Sequence, residues 1–200
     1  MKKTVSNLFT ALLLLSASSF MACNSNNSSN KKASDSTETH SLNSMPPLDT
    51  AHAMATLSGT KADTMLVGTA MFEKDGNMVK MHLELTVPSK ANQSVAVHFH
   101  AMGDCGSMGK MAGGHWNPTN ETHGKWGTGS YHSGDIGNIP LDSKGKGMMD
   151  IKTDRWTLGG DTTTDIIGKT IIVHSGVDDY KSQPAGNSGE RIGCGVIKSE

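Results

Sequence analysis

Apolar and polar residues alternate through Val79-Lys80-Met81-His82-Leu83-Glu84-Leu85-Thr86-Val87, with an apolar residue at every odd position. A period of two sets one side of the segment against a core and the other in water, which predicts a half-buried antiparallel strand. Asp75-Gly76-Asn77 tolerates positive φ, and Thr64 to Glu73 precedes it, so the two segments are expected to form a hairpin. Further strands are expected at Ala53 to Ser58, Ser94 to His100, Ile136 to Leu141, Gly147 to Thr153, Lys169 to His174 and Ile192 to Ile197. About eight short strands, divided by Gly, Asn and Asp turns and with no sustained helical period, predict an all-β sandwich or barrel. Ala101 to Ser133 and Ser175 to Glu190 show little alternation, and loops of that length in a compact domain are functional or disordered.

The N-terminal pattern is different. Met1 to Ala22 has a basic start (Lys2, Lys3), an apolar run from Leu8 to Leu15 and small residues before Cys23, the pattern of an export signal. No later stretch approaches the roughly eighteen apolar residues of a bilayer-crossing helix. Cys23 directly after a small residue resembles a bacterial lipoprotein cleavage site, where the thiol takes the lipid; cleavage after Ala22 with Cys23 left free is the alternative. Residues 23–48, mostly Asn, Ser, Lys and Thr, cannot bury enough surface to offset their ordering entropy and are expected to be a flexible tether. Residues 49–200 then make roughly 150 residues, one ordinary domain.

Composition agrees with short strands: hydrophobic residues are 35%, aromatics 4%, and 23 of 200 residues are Gly, without the three-residue period of collagen. The net charge is −1, and losing Lys2 and Lys3 with the leader takes 18 basic residues to 16 against 19 acidic ones, a net of −3. That balance argues against a nucleic-acid binder. Cys105 and Cys194 form an even pair in an exported chain and are expected to be joined; two buried reduced cysteines are the alternative. Closing so long a loop stabilises by roughly 4 to 5 kcal/mol in the chain-entropy account.

The histidines carry the candidate chemistry. His98 and His100 lie two apart on a strand whose other face holds Val95, Val97 and Phe99, so both rings project from one side, away from the core. His115, His123 and His132 follow in the first long loop, Asp135 lies three residues after His132, and His174 ends the apolar run Ile171-Ile172-Val173. Imidazole suits copper and zinc, and one carboxylate among imidazoles fits zinc, so the set can supply two sites.

His98-Phe99-His100, Gly103-Asp104-Cys105, Gly114-His115-Trp116-Asn117-Pro118, His123-Gly124, His132 to Asn138, Val173-His174 and Gly186 to Ile197 resemble the copper-zinc superoxide dismutases in order and spacing, over about Ala53 to Ile197. With the leader and Cys23, the resemblance is to the bacterial lipoprotein or periplasmic type. It implies an eight-stranded antiparallel Greek-key β-sandwich or barrel, immunoglobulin-like, with two long functional loops. It implies copper on His98, His100, His115 and His174, and zinc on His115, His123, His132 and Asp135, with His115 serving both through its two ring nitrogens. Asp178 matches the aspartate that hydrogen-bonds one histidine of each metal, here His98 and His123. Arg191 matches the arginine that draws in the anionic substrate; apart from the family it reads as a surface arginine paired with Glu190. Lys181 is a candidate addition to the positive field, with a solvated loop lysine as the favoured alternative.

The implied activity is dismutation of superoxide to dioxygen and hydrogen peroxide outside the cytoplasm, with Arg191 and His115 as the catalytic pair and a lipid on Cys23 as the only membrane contact; the oligomeric state stays open, a homodimer being one candidate. A copper or zinc binding or delivery module on the same fold is the alternative. A zinc hydrolase is disfavoured because no Glu stands beside a zinc histidine as general base. The chain departs from the family at Val95-Ala96-Val97, where His-Gly-Phe is usual, at Ala101, and at Trp126, where proline is common. Met102, Met108 and Met111, in the first long loop, are candidate soft ligands for reduced copper.

Overall fold

The computed structural model describes residues 51–200; the leader, Cys23 and the tether over 23–48 lie outside the described residues. Nine strands form: β1 His52–Gly59, β2 Val67–Asp75, β3 Met78–Thr86, β4 Ser94–His100, β5 Gly137–Pro140, β6 Lys146–Thr153, β7 Thr170–His174, β8 Arg191–Val196 and the two-residue β9 Lys198–Ser199. All eight expected strands are present. The largest boundary difference is at β2, which starts at Val67 rather than Thr64. Residues 61–66 instead turn on themselves, Thr64 N donating to Lys61 O and Leu66 N to Thr64 O. β9, which pairs with β1 through Ala53 and Met54, was not anticipated, because two residues show no period.

Pairing is antiparallel in the order β5-β4-β7-β8-β1-β2-β3-β6. The turn after β5 leads straight into β6, with Asp142 N donating to Lys146 O at 2.8 Å, so the ends of this path meet and the barrel is nearly closed. The β2–β3 hairpin pairs Asp75 with Met78, and Gly76 takes the positive φ (65°) that its two-residue turn needs. In β3 the residues Val79, Met81, Leu83 and Leu85 are buried, as the alternation requires.

The register of β4 on β7 sets up the site. Val97 pairs with Val173 and Phe99 with Ile171, and these four point into the barrel core. By alternation His98, His100, Thr170 and Ile172 point the opposite way. That outer face is not open to solvent, however: every residue of β4 from Val95 to His100 is buried, because the two long loops cover it. The substitution Ala96 is accommodated there, fully buried, with its N–H donating to Gly176 O of the second loop at 2.8 Å.

In the core Phe99 packs 4.9 Å from Trp156, ring centre to ring centre, and Phe72 meets both edge-on. Trp156 is fully buried, and its indole Nε1–H donates to Ser133 O at 2.9 Å, so the core fixes the start of the His132–Asp135 segment. Trp126, the residue in place of the usual proline, packs tilted against the same indole, ring centres 5.2 Å apart, and joins that packing.

Leu83→Ala is expected to cost about 2 to 5 kcal/mol, because Leu83 is fully buried among core side chains, whereas Val67→Thr on the exposed face is expected to stay within about 0.5 kcal/mol. Urea unfolding of the two variants against the parent checks the contrast.

Candidate metal centre

Two strands and two loops bring six imidazoles and two carboxylates together under the outer face of β4. His98 and His100 come from β4. His174 comes from the end of β7, where a register irregularity between Val173 and His174 changes the pairing with β8. The loop from Ala101 to Ile136 brings His115 beside His100 through an isolated antiparallel bridge, and adds His123, His132 and Asp135. The loop after β7 adds Asp178. Ligand atoms of His98, His100, His115 and His174 lie within 4.8 Å of one another, and so do those of His115, His123, His132 and Asp135. His115 belongs to both groups.

Hydrogen bonds distinguish the two nitrogens in five of the six rings, those of His98, His100, His115, His123 and His174. His98 Nε2 and His123 Nε2 each donate, at 2.9 Å, to a different oxygen of Asp178. His100 Nδ1 donates to Gly113 O at 2.8 Å, and His174 Nδ1 lies 3.4 Å from Gly189 O. The opposite atoms, His98 Nδ1 and Nε2 of His100, His115 and His174, are buried with no partner. So are His123 Nδ1 and His132 Nδ1, which lie 3.0 and 3.2 Å from Asp135 oxygens without hydrogen-bond alignment, while His115 Nδ1 lies 2.8 Å from the same carboxylate.

Six buried nitrogens without partners would each carry a desolvation cost of about 1 to 3 kcal/mol. They converge as lone pairs do around a cation. Four imidazoles suit copper, and three imidazoles with one carboxylate suit zinc, so the residues present fit both metals. Asp178 is itself held by Asn138, whose Nδ2 donates to Asp178 O at 2.9 Å and whose Oδ1 accepts from Asp178 N at 2.7 Å.

Burial pushes His100, His115 and His174 down to about 2, 4 and 3, and lowers His98 as well. All four rings are thus neutral near pH 7, the form a metal takes. Burial also opposes charge on His123, but Asp135 and Asp178 outweigh it and raise the ring to about 9. Burial would raise Asp135 and Asp178, yet their histidine partners hold both well below the usual carboxylate range.

The disulfide Cys105–Cys194 closes the base of the first loop on β8, as expected. Arg191 then reaches back into that loop, its guanidinium donating to Gly109 O at 2.5 Å and Gly113 O at 2.6 Å. Gly113 O also accepts from His100, so Arg191 and His100 share one carbonyl. Arg191 lines a surface depression of about 280 Å³ with Lys61, Lys110, Met108, Gly189 and Glu190.

The pairing read for Arg191 apart from the family is corrected here: Glu190 pairs with Lys61 at 3.1 Å, and carbonyls take two of the guanidinium's five N–H donors. Lys181 is exposed in the second loop, as a solvated lysine there would be; the lysines lining the depression are Lys61, from the β1–β2 turn, and Lys110. Met102, Met108 and Met111 are each about half exposed, and only Met108 lines the depression. Arg155 was also missed: it grips Glu121 with both guanidinium nitrogens and stacks 4.2 Å over Tyr131, bracing the loop that holds His123 and His132.

The family model for copper/zinc superoxide dismutase matches residues 66–197. The chain belongs to that family. It is 34% identical over 174 residues to a Cu-Zn superoxide dismutase 2 of Aquifex aeolicus (strain VF5), covering 72% of this chain and all of the relative. It is 33% identical over 143 residues to an extracellular Cu-Zn superoxide dismutase of Caenorhabditis elegans, covering 68% of this chain and 63% of that one. Among solved structures, the crystal structure of the clock protein EA4 superposes with a TM-score of 0.66 and 28% identity over 76% of this chain and 97% of its own. The protein is therefore an enzyme, a superoxide dismutase with copper and zinc as cofactors.

For the dismutase without metals, the four depressed histidines set the pH dependence. Below about pH 6.5 the unfolded chain binds protons on these rings and the folded chain does not, so stability falls as pH drops. His123 works in the other direction: its contribution is complete below 6.5 and is lost as pH rises through about 9. Thermal melts of the metal-free protein should therefore show Tm falling steadily from pH 7 to pH 5; a flat or rising Tm would contradict neutral buried rings.

Proposed function

We propose that His98 Nδ1 and the Nε2 atoms of His100, His115 and His174 hold copper, that the Nδ1 atoms of His115, His123 and His132 with Asp135 hold zinc, and that Arg191 and His115 carry the catalytic work. The observation behind this reading is the two groups of ligand atoms that share His115, among which six buried nitrogens have no partner. Copper held there supplies a one-electron acceptor for one superoxide and a one-electron donor for the next, giving dioxygen and hydrogen peroxide.

The chain's own residues do the remainder. Arg191, fixed charge and pinned by two carbonyls, faces the depression and binds the incoming anion with its remaining donor capacity. Lys61 and Lys110 add positive charge at the rim, so a net-acidic chain carries a locally basic entrance. His115 would be the proton carrier through its unpartnered Nε2, supplying one of the two protons that peroxide formation consumes, the other coming from water, while Asp135 orients the ring from the Nδ1 side. Asp178 locks the tautomers of His98 and His123 with its two oxygens.

For the rest of the chain, the basic, apolar and small-residue pattern of 1–22 supports export, and Cys23 supports a lipid anchor followed by a tether over 23–48, with 49–200 as the enzymatic domain outside the cytoplasm. Pairing into a homodimer is read from the family alone.

Stopped-flow decay of superoxide tests the assignment. The protein loaded with copper and zinc should remove superoxide catalytically. Arg191→Ala should lower kcat/KM by about tenfold or more and flatten its dependence on ionic strength, with metal content unchanged. Loss of copper in that variant would contradict a substrate role for Arg191. The anchor has its own check: Cys23→Ala expressed in a bacterium should move the protein from the membrane fraction to the soluble envelope fraction.

A further inference from the structure

His123 has two kinds of support. Its ring is held by carboxylates, with Nε2 donating to Asp178 at 2.9 Å and Nδ1 lying 3.0 Å from Asp135. Its main chain lies outside any strand, so no ladder fixes where the ring starts from. Gln183, sixty residues further on, meets that need: its Oε1 accepts from His123 N at 3.0 Å and its Nε2 donates to His123 O at 2.9 Å. One side-chain amide thus satisfies both main-chain groups of a metal-facing histidine, as a neighbouring strand would. The same loop closes over the ring. A Cβ at Gly186 would overlap Asp178 Oδ1 and come within 2.7 Å of His123 Nε2, so the backbone there is packed against both.

We propose that Gln183 is a positioning residue for zinc: by clasping the His123 main chain it sets how tightly and in what geometry zinc is held. The inference rests on the assignment of His123 to zinc made above. The second loop then grips His123 at two levels, Asp178 on the ring and Gln183 on the main chain. Since Asp178 also holds His98, displacement of His123 is felt on the copper side through one carboxylate. None of this was visible in the sequence, where Gln183 sits in a loop without period or recognisable motif.

Gln183 is exposed, so replacing it leaves neither a cavity nor a buried charge. Gln183→Leu removes both hydrogen bonds. Gln183→Glu keeps the acceptor for His123 N and turns an oxygen toward His123 O. Zinc affinity of the copper-loaded protein is measured by chelator competition, and cobalt(II) placed in the zinc site reports ligand geometry through its visible absorption.

Both variants are expected to bind zinc about tenfold or more weakly than the parent, with altered cobalt bands and full copper content. Folded variants whose zinc affinity stays within about twofold of the parent and whose cobalt spectrum superimposes would overturn the proposal, even if Tm falls. If one variant fails to fold, the other decides by the same criteria. A parent whose zinc or cobalt does not reach the His123 group would instead overturn the zinc assignment, and the proposal with it.

Discussion

Six imidazole nitrogens, buried and aimed at one another without hydrogen-bond partners, are the constraint on which the rest of this structure depends. Each would be a liability in a closed interior. Their opposite nitrogens are, by contrast, largely accounted for by Asp178, Gly113, Gly189 and Asp135. A ring tethered on one side and bare on the other is the state a metal needs, and it offsets the missing bond when it binds. The two long loops make this arrangement possible by covering a β4 face that alternation turns away from the core.

His115 makes the centre more than two neighbouring sites. Its ring lies 4.0 Å from that of His98 and 5.4 Å from that of His123, between the two groups. Asp178 supplies a second connection behind it, taking a proton donor from each side. Through these two bridges each ligand group fixes where the other's rings sit. Gly113 O accepts from both His100 and Arg191, so one carbonyl places both side chains, in a loop clamped by the disulfide.

Much of this was legible in the sequence, for reasons that differ by residue. The alternation of Val79 to Val87 determined β3 because one face is wet and the other dry, and the odd positions are indeed the buried ones. His98 and His100 were placed on one side by the pleat alone. The loop histidines became interpretable through family spacing rather than through any local period, and the geometry gathers all of them. What was not legible depends on contacts between distant loops. The sequence neighbours Glu190 and Arg191 do not pair, since Lys61 from the β1–β2 turn takes the carboxylate. The lysines lining the depression beside Arg191 are Lys61 and Lys110, which lie 130 and 81 residues from it along the chain. Arg155, Trp156 and Gln183 brace the metal loops through side-chain bonds spanning more than twenty residues, and no pattern in one chain announces such a pairing.

The central claim is that two metals are held by two ligand groups sharing the single ring of His115. The most direct measurement is anomalous diffraction from crystals of the metal-loaded protein, recorded on either side of the copper and the zinc absorption edges. The account predicts copper at about 2.0 to 2.1 Å from His98 Nδ1 and from Nε2 of His100, His115 and His174 in the oxidised protein, and zinc at similar distances from Asp135 and the Nδ1 atoms of His115, His123 and His132. Copper density away from the first group, zinc density away from the second, or metals in place with His115 bound to neither would contradict it.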